Sequence, residues 1–188
     1  MAGNECCLGT IKKLTLSKGR LGKMNGKETR SEGKKKDSIQ LLLVGHSTGH
    51  IMKVVEELNP IHLDLFTSLE LKAEVTAFMN SMTDYDGTYN IQRIPTFTKE
   101  SLIDGILIIS SRYSELKKKF PEEKIYFGIT GGTNPMAVEM ALAAILSEES
   151  IHYVIKGTDS EEDQNKLIIY DTAELKKFIQ NGCAREID

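Results

Sequence analysis

The feature that most constrains the fold of this chain is a regular alternation of apolar runs with amphipathic segments, which begins at Ser38. The runs at 38–45, 61–68, 89–97 and 124–129 are predicted strands. The segments between and after them have apolar residues at helical spacing, and the predicted helices cover 47–60, 69–82, 98–120 and 134–147. Strands without polar alternation are typical of a parallel sheet that is covered on both faces. The order therefore predicts an α/β fold, a doubly wound, Rossmann-like, mostly parallel sheet flanked by helices.

The C-terminal part of the pattern differs. Two further apolar runs, 151–157 and 166–171, flank the acidic turn TDSEEDQN, and this arrangement predicts an antiparallel C-terminal β-hairpin. A short amphipathic helix is predicted over 172–182. We expect one Rossmann-like domain over 38–188.

The residues before this domain have a different composition. Residues 1–36 carry ten Lys or Arg against three acids, whereas 37–188 carry fourteen against twenty-four. The first segment is rich in Lys, Gly and Ser and lacks apolar periodicity, so 1–37 is predicted to be a basic, disordered tail. A solvated extension, or a gene start placed upstream of the true Met24, is one interpretation. Contact with nucleic acid or an acidic partner is the other.

Two loops at one edge of the predicted sheet are candidates for ligand binding. VGHSTGH (44–50) follows the first strand, and GITGGTNPM (128–136) follows the fourth. Ligands of doubly wound sheets bind outside the carboxyl ends of the strands, where the strand order reverses. Each loop combines glycines, hydroxyls and a helix N-terminus, which together favour a phosphate without any lysine.

The same loops also have a purely structural interpretation. Thr133 would cap the helix after the second loop, and Ser47 would cap the helix after the first, because such residues favour strand–helix turns on structural grounds. Neither loop is G-x-G-x-x-G or G-x-x-x-x-G-K-[ST]. The occurrence of two such loops at one sheet edge favours the ligand interpretation.

The sequence gives little support for a metal site or a cofactor site. Cys6, Cys7 and Cys183 are odd in number, and two of them are adjacent, which predicts neither a disulfide framework nor a zinc site. His46 and His50 are four residues apart but have no carboxylates nearby. We predict no metal and no cofactor. No run approaches the roughly 18 apolar residues that cross a bilayer, and no signal peptide is evident, so a cytoplasmic location without membrane contact is expected.

The element order, the opening LLLVGHSTG and especially GITGGTNPMAVEMALA resemble the CRISPR-associated Rossmann fold, the CARF domain, over roughly 38–171. That resemblance implies binding of a cyclic oligoadenylate, such as cyclic tetra- or hexa-adenylate, the second messenger of type III CRISPR antiviral defence. It also implies a homodimer with the ring across its two-fold axis, where a symmetric ligand meets two copies of each loop.

Carried over residue by residue, the resemblance implies a ligand-binding set from both loops. That set is Gly45, His46, Ser47, Thr48, Thr130, Gly131, Gly132, Thr133 and Asn134.

Too few residues lie outside the core for a separate effector domain. Small family members without effectors are often metal-independent ring nucleases. In that reaction a ribose 2′-hydroxyl attacks the adjacent phosphate and leaves a 2′,3′-cyclic phosphate. The catalytic candidates are Ser47 and Thr48, which would position the hydroxyl, together with Asn134.

Residue 134 departs from the family pattern. The family often has Lys or Arg directly after Thr-Gly-Gly-Thr, whereas this chain has Asn134. An amide supplies no charge, and loss of a group that stabilises a developing anion costs about 3–4 kcal/mol. Lys53, Lys99 or Arg112 are the candidates to replace that cation.

Two alternatives to a protein that binds and cleaves a cyclic oligoadenylate remain open. One is a non-catalytic sensor or adaptor that uses the basic tail. The other is a Rossmann-like enzyme that acts on another nucleotide or phosphorylated metabolite.

Overall fold

A computed structural model of the chain describes residues 37–95, 98–155 and 166–183. The described residues form β1 (Ser38–Leu43), α1 (Gly49–Leu58), β2 (His62–Thr67), α2 (Lys72–Ser81), β3 (Thr88–Arg93), α3 (Lys99–Lys119), β4 (Lys124–Gly128), α4 (Asn134–Ser147), β5 (Ser150–Ile155), β6 (Lys166–Tyr170) and α5 (Thr172–Cys183). Apart from Asp37, the predicted basic tail lies outside the described residues, and so does the turn TDSEEDQN.

The strands form one sheet in the order β3-β2-β1-β4-β5-β6. Neighbouring strands from β3 to β5 are parallel, and β6 pairs antiparallel with β5. The chain winds outward from β1 to β3 and then returns to place β4 on the other side of β1, so the order reverses between β1 and β4. These findings confirm the predicted doubly wound, mostly parallel sheet and its C-terminal β-hairpin.

The central strand β1 faces two hydrophobic cores. It is buried at all six positions. Ile39, Leu41 and Leu43 pack on the side that also contains the buried residues of α3 and α4. Leu42 packs on the other side, with the buried residues of α1 and α2. Because successive side chains of a strand point to opposite faces, an uninterrupted apolar run is what such a strand requires. The loops after β1 and β4 therefore start from the centre of the sheet.

The helix ends explain most of the predicted boundaries. Thr98 caps α3, and Thr133 caps α4, each by accepting from the backbone N–H three residues later. The α4 range is the one predicted from the sequence. Helix α1 starts later than predicted: Thr48 occupies its N-cap position, without a side-chain cap hydrogen bond. The interpretation in which Ser47 caps this helix is therefore wrong.

A buried ionic network ties β2 to β3 and α3. The carboxylate of Asp64, which is fully buried, accepts from Arg112 Nε at 2.6 Å, from Asn90 Nδ2 at 3.0 Å and from His62 Nε2 at 3.2 Å. A buried carboxylate needs a partner of opposite charge, because its desolvation costs several kcal/mol otherwise. Arg112 thus has a structural role as the cation that pairs with Asp64.

Candidate ligand-binding site

The two predicted loops meet at the carboxyl edge of the sheet. They follow β1 and β4, which are hydrogen-bonded neighbours at the reversal of the strand order. A Cβ atom on Gly45 would lie 3.0 Å from the backbone nitrogen of Gly132, so the backbones of the two loops are in contact. The structure therefore brings the two predicted halves of the site together.

The second loop needs its glycines for structural reasons. Gly131 and Gly132 have φ angles of 90° and 65°, which L side chains rarely adopt. A Cβ atom on Gly131 would also lie 2.7 Å from the carbonyl oxygen of Leu43 and 2.8 Å from Cε1 of His50. The turn and the packing explain both glycines. Access of a phosphodiester to bare backbone stays a prediction.

Two of the predicted hydroxyl groups hold this loop in place. Thr130 Oγ1 accepts from the backbone N–H of Val154 at 2.7 Å and so ties the loop to β5. Thr133 Oγ1 faces the Met136 N–H at 3.5 Å as the cap of α4. Each hydroxyl still has a hydrogen to donate. Ser47 is exposed, Thr48 is half-buried, and Asn134 is exposed at the first residue of α4.

A first cleft, of about 400 Å³, lies on one side of the contact between the loops. Its described lining is Val44, Gly45, His46, Ser68, Glu70, Leu71, Gly132, Thr133 and Met136. The pKa of Glu70 is lowered by a hydrogen bond from its own backbone, a second with Ser68, and the nearby charge of Arg93. The carboxyl is therefore ionised at neutral pH, and it is the one carboxylate in the described lining of this cleft, with the charge of Arg93 near it.

A second cleft, of about 320 Å³, lies on the other side. Its described lining is Ser47, Gly49, His50, Thr130, Gly131, Tyr153 and Val154. This lining contains no carboxylate. The Tyr153 side chain is 41% exposed at its rim. The second cleft is thus the less negative of the two.

His50 lies under the second cleft and is only 6% exposed. Its Nε2 is 2.8 Å from the carbonyl oxygen of Leu43, and the ring also makes a backbone hydrogen bond with Ser47. Burial lowers the pKa of His50, while both backbone bonds act in the opposite direction. The ring is therefore neutral in the free protein at neutral pH, and its single N–H can donate to only one of these two backbone partners.

A second imidazole is close to it. His152 on β5 is 1% exposed, and its Nε2 is 3.0 Å from Oε1 of Gln40. Burial, followed by the effect of His50, lowers the pKa of His152 to about 4. The two rings are close enough to interact electrostatically, and His152 is the harder one to protonate.

Two of the three candidate cations, Arg112 and Lys53, are paired with carboxylates elsewhere in the described residues. Arg112 pairs with Asp64 and with Glu115, the latter at 2.7 Å. Lys53 pairs with Glu57 at 2.8 Å. The Lys99 side chain lies outside the part of the chain that the structure describes. Among the described lining residues of both clefts there is no lysine or arginine.

The predicted residues divide between the clefts. Gly45, His46, Gly132 and Thr133 line the first, and Ser47, Thr130 and Gly131 line the second, while Thr48 and Asn134 line neither. Sequence reasoning missed other lining residues: Ser68, Glu70, Leu71, Met136, His50 and Tyr153. Ser68 follows the last residue of β2, so the carboxyl-edge argument applied to that strand would have found the first three.

The described residues offer neither a metal site nor a membrane-spanning helix. No group of three or more His, Cys, Asp or Glu side chains in them is placed to hold a metal ion. Within the same residues, no helix has the length and apolar character needed to cross a membrane.

No protein-family model and no curated protein sequence matches the chain. Solved structures do match. Csm6 from Enterococcus italicus, bound to cyclic hexa-2′-fluoro-hexa-dAMP, matches 79% of the chain with a TM-score of 0.61 and 12% identity. Can2 from Sulfobacillus thermosulfidooxidans, in complex with cyclic tetra-adenylate, matches 63% with a TM-score of 0.52 and 17% identity. A type III CRISPR defence DNA nuclease activated by cyclic oligoadenylate matches 72% with a TM-score of 0.55 and 14% identity.

The match covers 46%, 32% and 20% of those three chains, which is less than half of each. At these identities the likeness concerns the fold. The chain has a CARF-like Rossmann fold, and the resemblance predicted from its two loop sequences is confirmed at that level.

Proposed function

We propose that this chain binds a cyclic oligoadenylate, such as cyclic tetra- or hexa-adenylate, at the carboxyl edge of its sheet. The observation that carries the proposal is the contact between the two glycine-containing loops at the reversal of the strand order, with a cleft on each side. Two structures of the same fold hold cyclic adenylates, and a third is activated by one. Transfer of that ligand class to this chain is our inference.

The electrostatics of the clefts favour one orientation of the ligand. The ionised Glu70 repels a phosphodiester from the first cleft. The second cleft has hydroxyls of Ser47 and Thr130 and no carboxylate in its described lining, so it suits the phosphodiester better. The apolar side chains of Leu71 and Met136 in the first cleft suit a base. A repeating ring would then alternate between the two environments.

A homodimer is part of the proposal. Helices α3 and α4 present large apolar side chains to solvent, namely Ile103 (62% exposed), Leu107 (61%), Val138 (49%) and Leu146 (71%). Exposed apolar side chains that cluster on adjacent helices are typical of an interaction surface. A two-fold partner on this face would bring a second copy of both loops near the first, as a ring of symmetric phosphates requires.

Ring cleavage is the finer part of the proposal. Attack of a ribose 2′-hydroxyl on the adjacent phosphorus breaks the bond to the next 5′-oxygen. The products are a 2′,3′-cyclic phosphate and a 5′-hydroxyl, and the proton lost by the one oxygen is regained by the other. Of the catalytic candidates, Ser47 alone lines a cleft, while Thr48 and Asn134 line neither. We therefore expect turnover to be slow and to depend on Ser47.

The test uses radiolabelled cyclic tetra-adenylate and cyclic hexa-adenylate with EDTA present, and it reads gel retention and product separation from the same tubes. We expect retention of a ring and slow formation of linear products that end in a cyclic phosphate. Ser47→Ala should abolish cleavage. The matched control is Ser111→Ala, because Ser111 is an exposed serine on α3 that lines neither cleft.

The outcomes separate the candidate functions. A retained but intact ring would support a sensor or adaptor and remove the nuclease proposal. Absence of both retention and cleavage would contradict the proposed ligand and favour an enzyme for another nucleotide or phosphorylated metabolite.

A further inference from the structure

We propose that His50 supplies the cation of this site: it is neutral in the empty second cleft and takes up one proton when a phosphodiester anion binds there. The inference rests on the proposed function, because it assumes an anionic ligand at the loops. It gives a physical answer to the absence of a basic residue at position 134 and in the described lining of either cleft.

The first step is the position of His50. It lies in the first turn of α1, lines the second cleft and has 6% of its surface exposed. Its ring makes backbone hydrogen bonds with Leu43 and Ser47, which bracket the first loop. Gly131 of the second loop packs on the same ring, since a Cβ atom there would lie 2.8 Å from Cε1. His50 therefore positions both loops at once.

The second step is the balance that sets its charge. Burial disfavours the imidazolium form, because the charge loses its hydration. The two backbone bonds favour that form, and burial outweighs them in the empty protein. A phosphodiester in the second cleft adds an opposite charge within a few ångströms of the ring, in a partly dry site. Such a neighbour raises the pKa of a histidine and tips the balance toward imidazolium.

The other titratable groups that face the ring do not take up the proton. His152 on β5 is held neutral by deeper burial and has a pKa of about 4. Tyr153, also on β5, carries a phenol that gains no positive charge. On α1 itself, Lys53 is paired with Glu57. The residues of β1 and of the second loop that contact the ring, Leu43 and Gly131, have no ionisable side chain.

The first loop contains another imidazole, and it provides a matched control. His46 is exposed and lines the first cleft, whereas His50 is buried and lines the second. Four residues separate them, but they face different clefts. If the proton is taken up in the second cleft, removal of His46 leaves the proton uptake in place, whatever it does to affinity.

The experiment is calorimetric titration of the full chain with cyclic tetra-adenylate and cyclic hexa-adenylate at pH 6, 7 and 8, in buffers that differ in ionisation enthalpy. Phosphodiesters and adenine do not titrate in this range, so proton uptake reports the protein. We expect uptake of up to one proton per site and an affinity roughly tenfold higher at pH 6 than at pH 8. His50→Gln keeps a donor for Leu43 but should bind without proton uptake, while His46→Gln should retain it.

A measurement on the unaltered chain keeps the test independent of how the variants fold. The imidazole NMR signals of His50 should show a neutral ring in the free protein at pH 7 and a protonated ring in the complex. Ring binding without proton uptake, or uptake that persists in a folded His50→Gln variant, would overturn the role of His50 and leave the proposed function standing. Failure of both rings to bind at any pH would overturn both.

Discussion

The most informative stability prediction concerns Glu139, a fully buried carboxyl on α4. A Cβ atom on Gly105 of α3 would overlap this carboxyl, so the missing side chain of that glycine makes room for it between the two helices. Within the described part of the chain, neither carboxyl oxygen has a hydrogen-bond partner. Burial raises the pKa of Glu139 from 4.5 to about 7. The perturbation we propose is Glu139→Gln, which keeps the shape and removes the ionisation.

The sign and size follow from the two pKa values. Below pH 4.5 the carboxyl is protonated in both states, so it costs the folded protein nothing through ionisation. Between pH 4.5 and about 7 the unfolded chain ionises first, and the free energy of unfolding falls as the pH rises. Above about 7 the loss is complete. At about 1.4 kcal/mol per pKa unit, the interval from 4.5 to about 7 corresponds to about 3 kcal/mol.

The assay is urea unfolding of the wild type and of Glu139→Gln at pH 5 and at pH 8. We expect the free energy of unfolding of the variant, taken relative to that of the wild type, to be about 2–3 kcal/mol higher at pH 8 than at pH 5. Glu122→Gln, which removes the same charge from an exposed position, should show no such gain. A difference between Glu139→Gln and the wild type that does not change with pH would refute the reasoning, because the carboxyl would then ionise equally easily in both states.

Substitutions at Gly131, Arg112 and Leu107 test the backbone geometry of the second loop, the buried ion pair and the proposed dimer face. Gly131→Ala should lower the free energy of unfolding by about 1–3 kcal/mol or more, measured by urea unfolding, because of its φ of 90° and the approach to Leu43. Arg112→Met should cost about 3–5 kcal/mol in the same assay, since it leaves Asp64 buried without its cation. Leu107→Asp, on the exposed face of α3, should convert the proposed dimer to a monomer in analytical ultracentrifugation.

Each of these predictions has a control and an outcome that would contradict it. Gly49→Ala, where a Cβ atom meets nothing within 4 Å, should not destabilise, and equal losses at Gly49 and Gly131 would remove the argument from geometry. Adding Asp64→Asn to the Arg112 variant should recover part of the loss. Ala77→Asp introduces the same charge at an exposed position of α2, on the other face of the sheet, and should leave the dimer intact. A wild-type protein that sediments as a monomer would contradict the dimer.

The sequence predicts elements best where a local signal marks their ends. Helix α4 is predicted as found because Thr133 caps it and Pro135 fits its first turn. Helix α1 lacks a side-chain cap bond, and its predicted start at residue 47 is two residues too early. Residues 69–71, assigned to the second helix, precede α2 instead, and two of them, Glu70 and Leu71, line the first cleft.

The site was predictable only in part, for a physical reason. The alternation of strands and helices predicts the strand order, and the strand order brings together the loops after β1 and β4. Which cleft each residue lines depends on side-chain direction at a helix start. The sequence presents His50 only as a possible metal-binding partner of His46, because without a cap signal it does not show that α1 begins at Gly49 and turns His50 inward. Tyr153 reaches the site because β5 continues past its three paired positions with β4.

The central claim is that the site takes a cyclic adenylate, and an equilibrium titration tests it most directly. The full chain would be titrated with cyclic tetra-adenylate, with cyclic hexa-adenylate and with the linear oligomers of the same lengths, in EDTA. We predict that one ring binds per dimer, at least tenfold more tightly than its linear counterpart, a difference of about 1.4 kcal/mol. Equal affinity for ring and linear oligomer, or no binding of either ring, would contradict it.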